Sequence, residues 1–251
     1  MRFVKQNFVT GLVMSLLLSV TTAVQAQIDV SALENGPLEQ RHLALLELRK
    51  IPPAQRDSRL WAALAREALR AQQAPRRPEN RAQREEYFDY QGDLVSMLAE
   101  SSDPAMIPVL LKFVGTDGEA RAALRKFGDL AVPGLVQILD DGNAPSLDKG
   151  GASFALAGML EARGNTSLSD QYRRQILEVA AEQLYQHLTF GNVIDVAILA
   201  LATERPDLRA ELGQLASETA PWIRRGLSDR DQIKQCQRTI QVQLQKHDAR
   251  P

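Results

Sequence analysis

Apolar residues recur along this chain at spacings of three and four, the period of helices buried on one side, and no stretch makes a credible strand. From Pro37 to about Lys50 the stripe is Leu38, His42 or Leu43, Leu45, Leu46 and Leu48. Proline can open this helix because the first helical position has no bond to lose, and Pro52-Pro53 closes it, since a residue before proline resists helical geometry. Asp57 or Ser58 can cap a second helix carrying Leu60, Trp61, Leu64, Ala65, Ala68 and Leu69. With a short connection the two form a helical hairpin, the building unit of α-solenoids. The stretch 71–86 breaks the pattern: it has two prolines, many Gln, Arg and Glu, and no stripe. It reads as a flexible solvated loop running into the start of a helix. Its Arg76, Arg77, Arg81 and Arg84 are diluted by Glu79, Glu85 and Glu86, the pattern of a solvated segment more than of a binding patch. A helix is expected from about Tyr87 to Glu100, with Phe88, Leu94, Met97 and Leu98 inward.

The next segment repeats itself. Asp103 caps a helix over Pro104–Val114, a turn follows at Gly115–Gly118, then a short helix Glu119–Phe127, a Gly128-Asp129 turn and a helix Leu130–Leu139. At an offset of 25 residues Pro108 falls on Pro133, Ile107 on Val132, Leu110 on Leu135, Leu111 on Val136, Phe113 on Ile138 and Val114 on Leu139. Self-similarity of this kind marks a stacked repeat whose units cannot bury their apolar faces alone. The wording of these units, Glu119-Ala-Arg121-Ala-Ala-Leu124, Gly128-Asp129, Ala131-Val-Pro133-Gly-Leu135 and Leu139-Asp140, resembles the HEAT-like repeats of the phycobilisome-lyase type over residues 103–141. The first helix of the unit is about one turn shorter than in that family. The resemblance implies an α-helical stack, and implies that Arg121, Arg125 and Lys126, beside Asp117, Glu119 and Asp129, either link neighbouring units or contact a partner.

Beyond it the pattern loosens. Residues 141–146 form a turn cluster; a helix from Lys149 to Ala162 carries Phe154, Ala155, Leu156, Met159 and Leu160 as candidate core, with a start weakened by Gly150-Gly151. Ala152, Ala155 and Gly158 would admit a close neighbour. Ser167-x-x-Asp170 resembles a capping box for a helix to Leu188, stopped by Gly191-Asn192. Helices Val193–Thr203 and Pro206–Ser217 follow, Ala220-Pro221-Trp222-Ile223 echoes the repeat opening, and a terminal helix from Asp229 to Lys246 is polar on its outer face. The expected fold is all-α: an α-solenoid of about five degenerate helical hairpins spanning 27–251.

The first 26 residues stand apart. Arg2 and Lys5 precede an uncharged apolar run to Val24, and Val24-Gln25-Ala26 offers small residues where an export peptidase reads. A cleaved signal, cut between Ala26 and Gln27, is the expectation, with an uncleaved anchor as the alternative. This places the protein in the periplasm or outside the cell. Of 30 basic residues two lie in this leader, so the remainder carries 28 against 31 acidic ones, a net charge of −3. That balance gives no electrostatic case for nucleic acid. Only 5% of residues are aromatic while Ala and Leu abound, as suits close-packed helices.

Chemistry is sparse. Cys236 is alone, so no intramolecular disulfide forms; with Ile233, Ile240 and Leu244 it lies on one helix face, as a buried small hydrophobe, an intermolecular partner or a reactive thiol. None of His42, His187 and His247 has a partner at metal-ligand spacing. Ser146-x-x-Lys149 spells the opening motif of serine-acylating enzymes without their other two elements. Asn165-Thr166-Ser167 is a glycosylation sequon. No residue is assigned a catalytic, cofactor-binding or metal-binding role, and no cofactor is expected. The expected function is non-enzymatic: an exported scaffold or adaptor of the cell envelope that binds a protein or peptide. The alternatives are an enzyme or enzyme subunit, lyase-like or serine-acylating, and a membrane-anchored assembly factor if the leader is retained.

Overall fold

The computed structural model describes residues 30–73, 81–161 and 168–250, and every regular element among them is helical. The chain divides into two units, 1–63 and 64–251, with the division inside one long helix. The leader with its Ala26–Gln27 junction, residues 74–80 of the expected loop, and the sequon fall outside the described residues.

In the first unit, α1 (Val30–Asn35) packs on α2 (Leu38–Arg49), and α3 (Ser58–Gln73) begins. The stripe expected on α2 is narrower than its leucines imply: Leu45 and Leu48 are buried, whereas Leu43 and Leu46 face solvent. Asp57 is the cap, its Oδ1 accepting from the Leu60 N–H at 2.9 Å. Arg56 is buried at the bend, where its Nε donates to the Ile51 carbonyl and its guanidinium lies 5.2 Å above the Trp61 ring.

The second unit holds the rest of α3 and then α4 (Arg81–Ala99), α5 (Ile107–Leu111), α6 (Gly118–Phe127), α7 (Val132–Asp140), α8 (Ser146–Glu161), α9 (Asp170–Gln186), α10 (Val193–Ala202), α11 (Pro206–Ser217), α12 (Ala220–Arg224) and α13 (Arg230–Asp248). Helix therefore enters the expected 71–86 loop from both sides, to Gln73 and from Arg81. A buried bond ties α3 to α4. The Tyr90 hydroxyl donates to Glu67 Oε1 at 2.7 Å, and Glu67, only 2% exposed, is also paired with Arg70.

Helices two apart in sequence pack side by side. α4 lies on α6, α6 on α8 and α8 on α10, while α5 lies on α7 and α7 on α9; α10 also packs on α13, three helices further on. Helices α6, α8 and α10 share one direction. Gly151 meets the turn just before α6 while Gly158 meets Arg125 near its end, so α6 and α8 run parallel. Likewise Gly150 meets Asp195 near the starts of α8 and α10, and Ala157 and Leu201 share a groove nearer their ends. In the second set, the Ser169 N–H just before α9 donates to Asp129 Oδ1 just before α7, 40 residues away.

Local chemistry explains the boundaries. Asp103, Asp117 and Asp229 accept from the N–H groups of the turns that follow them. Pro108 cannot donate to the Pro104 carbonyl, so the single helix expected over 104–114 is instead a 3-10 turn, Pro104–Met106, followed by α5. Helix α8 starts at Ser146, before Gly150-Gly151, which lie buried inside it. Their missing side chains admit the Asp195 carboxylate and the Val114 carbonyl, a contact that outweighs their low helix propensity. α9 begins after Ser169, whose side chain makes no capping bond. No helix among the described residues is long and apolar enough to cross a membrane.

Candidate functional site

Helix α8 buries Ala152, Ala155, Leu156 and Met159, which leaves Leu147, Phe154 and Glu161, spaced by seven, on its opposite side. Two grooves open along that side. The larger, about 500 Å³, lies between the end of α3, α4, the α5–α6 turn and the start of α8, and its lining includes Gln72, Arg84, Phe88, Lys112 and Leu147. Phe88 is 63% and Leu147 60% exposed. The Gln72 amide donates to the Lys112 carbonyl at 2.6 Å and fixes the groove's end.

The smaller groove, about 190 Å³, is walled by α6, α8, α10 and α13. Phe154, Ala157, Ile198 and Leu201 supply its apolar lining, and Arg125, Lys246 and Arg250 line it too, with Glu161 as the one carboxylate among the described residues. Arg250 is paired with Glu161. Among the described residues Arg125 and Lys246 have no ion-pair partner, so the groove carries a surplus of positive charge in a chain whose net charge is −1. Gly158 makes room for it: a methyl group there would lie 2.7 Å from Arg125 Nη1. An adjoining cavity at the α10–α11 turn is lined by Arg205, Arg209 and Asp248. There the cations are satisfied, Arg205 by Asp207 at 2.5 Å and Arg209 by Asp248 at 2.7 Å. These pairings hold both aspartates below the ordinary carboxylate value.

The three basic residues singled out on α6 do not converge. Arg121 Nη1 donates to the Val114 carbonyl at 2.9 Å and braces the α5–α6 turn. Arg125 reaches across Gly158 into the smaller groove, and Lys126 is exposed without lining it. Phe154, grouped with Leu156 as core in the sequence, instead faces the groove at 40% exposure. Ile198, Lys246 and Arg250 had no signal of their own, because they lie far from α6 in the sequence. The one available sign was the seven-residue spacing of Leu147 and Phe154.

Cys236 is fully buried, and burial pushes its thiol up. Ser146 is exposed and Lys149 half-buried in the first turn of α8. Asp140 is raised by burial and by Glu182, against the pull of His187 and Lys149. Asp195, half-buried against Gly150, is raised by burial alone. Among the described residues no group of three His, Cys, Asp or Glu side chains is placed to hold a metal. No family model, characterised protein or solved structure matches this chain.

Proposed function

We propose that the chain is an exported, non-enzymatic α-solenoid that binds a protein or peptide partner, serving as a scaffold or adaptor in the cell envelope. The solenoid reading is supported by the side-by-side packing of alternate helices and by the shared direction of α6, α8 and α10. Such stacks offer long faces to partners. One observation carries the binding reading: Phe88, Leu147 and Phe154 stand exposed on α4 and α8, helices of one set, and line the two grooves. Large apolar side chains gathered beside grooves mark interaction sites more often than scattered ones do. Export rests on the charged, apolar and small-residue order of the leader.

Photo-crosslinking in the native envelope tests this. A benzophenone side chain placed at Phe88 or at Phe154 is expected to give a discrete protein adduct, and one at exposed Gln137 on α7 none. Absence of adducts at both aromatic positions overturns the reading. N-terminal sequencing of the exported form should begin at Gln27, and an intact Met1 in a membrane fraction refutes cleavage. Labelling by a fluorescent penicillin that disappears in Ser146→Ala would replace the scaffold with an enzyme.

A further inference from the structure

We infer that the smaller groove, between α6, α8, α10 and α13, receives an acidic peptide segment that presents one apolar side chain. The inference rests on the partner-binding reading above and assigns the chemistry of the partner. The groove's size comes first. At about 190 Å³ it falls below the roughly 300–1,000 Å³ of sites that enclose small molecules, and suits a single side chain entering from an extended chain. Its lining has an apolar part: Phe154 and Ile198 face it from two parallel helices, so the entering side chain is an aliphatic or aromatic one.

The rim fixes the sign of the flanking charges. Arg125 and Lys246 face the groove from α6 and α13 and lack carboxylate partners among the described residues, whereas Arg205 and Arg209 in the adjoining cavity are each neutralised. Arg250 and Glu161 cancel one another, and His247 adds positive charge only when protonated. Two cations therefore remain for an incoming anion in a chain that is slightly acidic as a whole. Arg125 offers a planar fork suited to a carboxylate, and Gly158 keeps that fork beside the groove. A free inorganic anion would use the rim and leave the apolar part bare. An apolar peptide would use that part and leave the cations unmatched. An acidic segment with an apolar residue uses both.

The test uses the exported chain without its leader and fluorescein-labelled, terminally blocked pentapeptides followed by anisotropy at low ionic strength. Glu-Asp-Phe-Asp-Glu is expected to bind and to weaken as salt is raised. Replacing its Phe by Ala, or its acids by Gln, should weaken binding at least about tenfold. Arg125→Gln and Lys246→Gln should each weaken it by about the same factor, and Phe154→Ala should abolish the preference for Phe over Ala. Circular dichroism melts confirm that each variant is folded, and Lys246→Gln, at an exposed position, stands as the check should Arg125→Gln unfold. The inference is overturned if the Gln peptide binds equally, if neither cation variant alters affinity, or if inorganic phosphate displaces the peptide while the Ala peptide binds as well as the Phe one. Crosslinking at Phe154 with no affinity for the acidic peptide sinks this inference alone, whereas absence of crosslinks at Phe88 and Phe154 sinks the wider reading.

Discussion

Gly151→Ala tests whether α8 depends on contact between its own backbone and that of the turn before α6. A methyl group at Gly151 would overlap the Val114 carbonyl and lie 2.8 Å from the Gly115 nitrogen, both backbone atoms. That turn has little freedom to retreat, since Arg121 holds the Val114 carbonyl and the Asp117 N–H donates to the Phe113 carbonyl at 2.9 Å. Helix propensity alone favours alanine over glycine by about 1 kcal/mol. Overpacking costs about 1–3 kcal/mol, and the upper end applies where backbone must shift, so after the propensity gain a net loss of roughly 2 kcal/mol is expected. Gly92 in α4 supplies the control, because a methyl group there meets nothing within 4 Å. Gly92→Ala should therefore gain about 0.5–1 kcal/mol. Both sites lie in the second unit, so urea unfolding monitored by circular dichroism compares them on one transition. The two variants should move the midpoint in opposite directions. A Gly151→Ala protein as stable as the parent would refute the close approach.

Three further substitutions probe other links. Leu135→Ala, at a fully buried position of α7, should cost roughly 2–5 kcal/mol in the same urea assay, and a loss under about 0.5 kcal/mol would place Leu135 at the surface. Tyr90→Phe removes a donor from the buried Glu67 carboxylate and should cost about 1.5–3 kcal/mol, whereas Tyr185→Phe, at an exposed position, should cost almost nothing; equal effects would deny the buried bond. Asp195→Asn carries a pH signature. Burial raises the folded carboxyl above its ordinary 3.8, so the folded chain holds a proton that the unfolded chain has lost, and stability falls as pH rises from the unfolded value through the folded one. The variant lacks this penalty, so its advantage should be absent at the acid end of that window and widest above it; urea midpoints across pH that show a constant or reversed gap would refute the burial account.

The helical class was legible because helices of this chain bury one side, and a period near 3.6 survives in the sequence wherever one side is buried. Many boundaries were legible for an equally local reason: Asp57, Asp103, Asp117 and Asp229 each bond to the N–H groups beside them. Misreadings arose where a distant neighbour outweighed local preference. Gly150-Gly151 looked like a weak helix start until Asp195 and Val114 are placed against them, and Phe154 looked like core until Leu156 and Met159 occupy the buried side of α8. On α2 the leucines outnumber the inward positions, so composition overstated the stripe.

The 25-residue self-similarity of the sequence holds where connections are short and fades where the helices lengthen. Between α5 and α7 the connections are short, and the 25-residue offset aligns Leu111 with Val136 while Gly134 admits Leu111 itself. Between α7 and α9 the equivalent positions, Asp129 and Ser169, are 40 residues apart, because α7 and α8 are longer than α5 and α6. A repeat of fixed length therefore has no counterpart there, although the packing of helices two apart continues. If the stack is the unit of function, its binding groove is legible in no single repeat. Arg125, Phe154, Ile198 and Lys246 come from four helices, each polar or apolar for ordinary local reasons, and they acquire a joint meaning only when helix packing brings them together. Replacing the whole quartet should thus abolish peptide binding with little loss of stability, since none of the four is fully buried, whereas Leu135→Ala should do the reverse. A quartet variant that unfolds but still binds when stabilised would show that these residues build the stack and do not serve it.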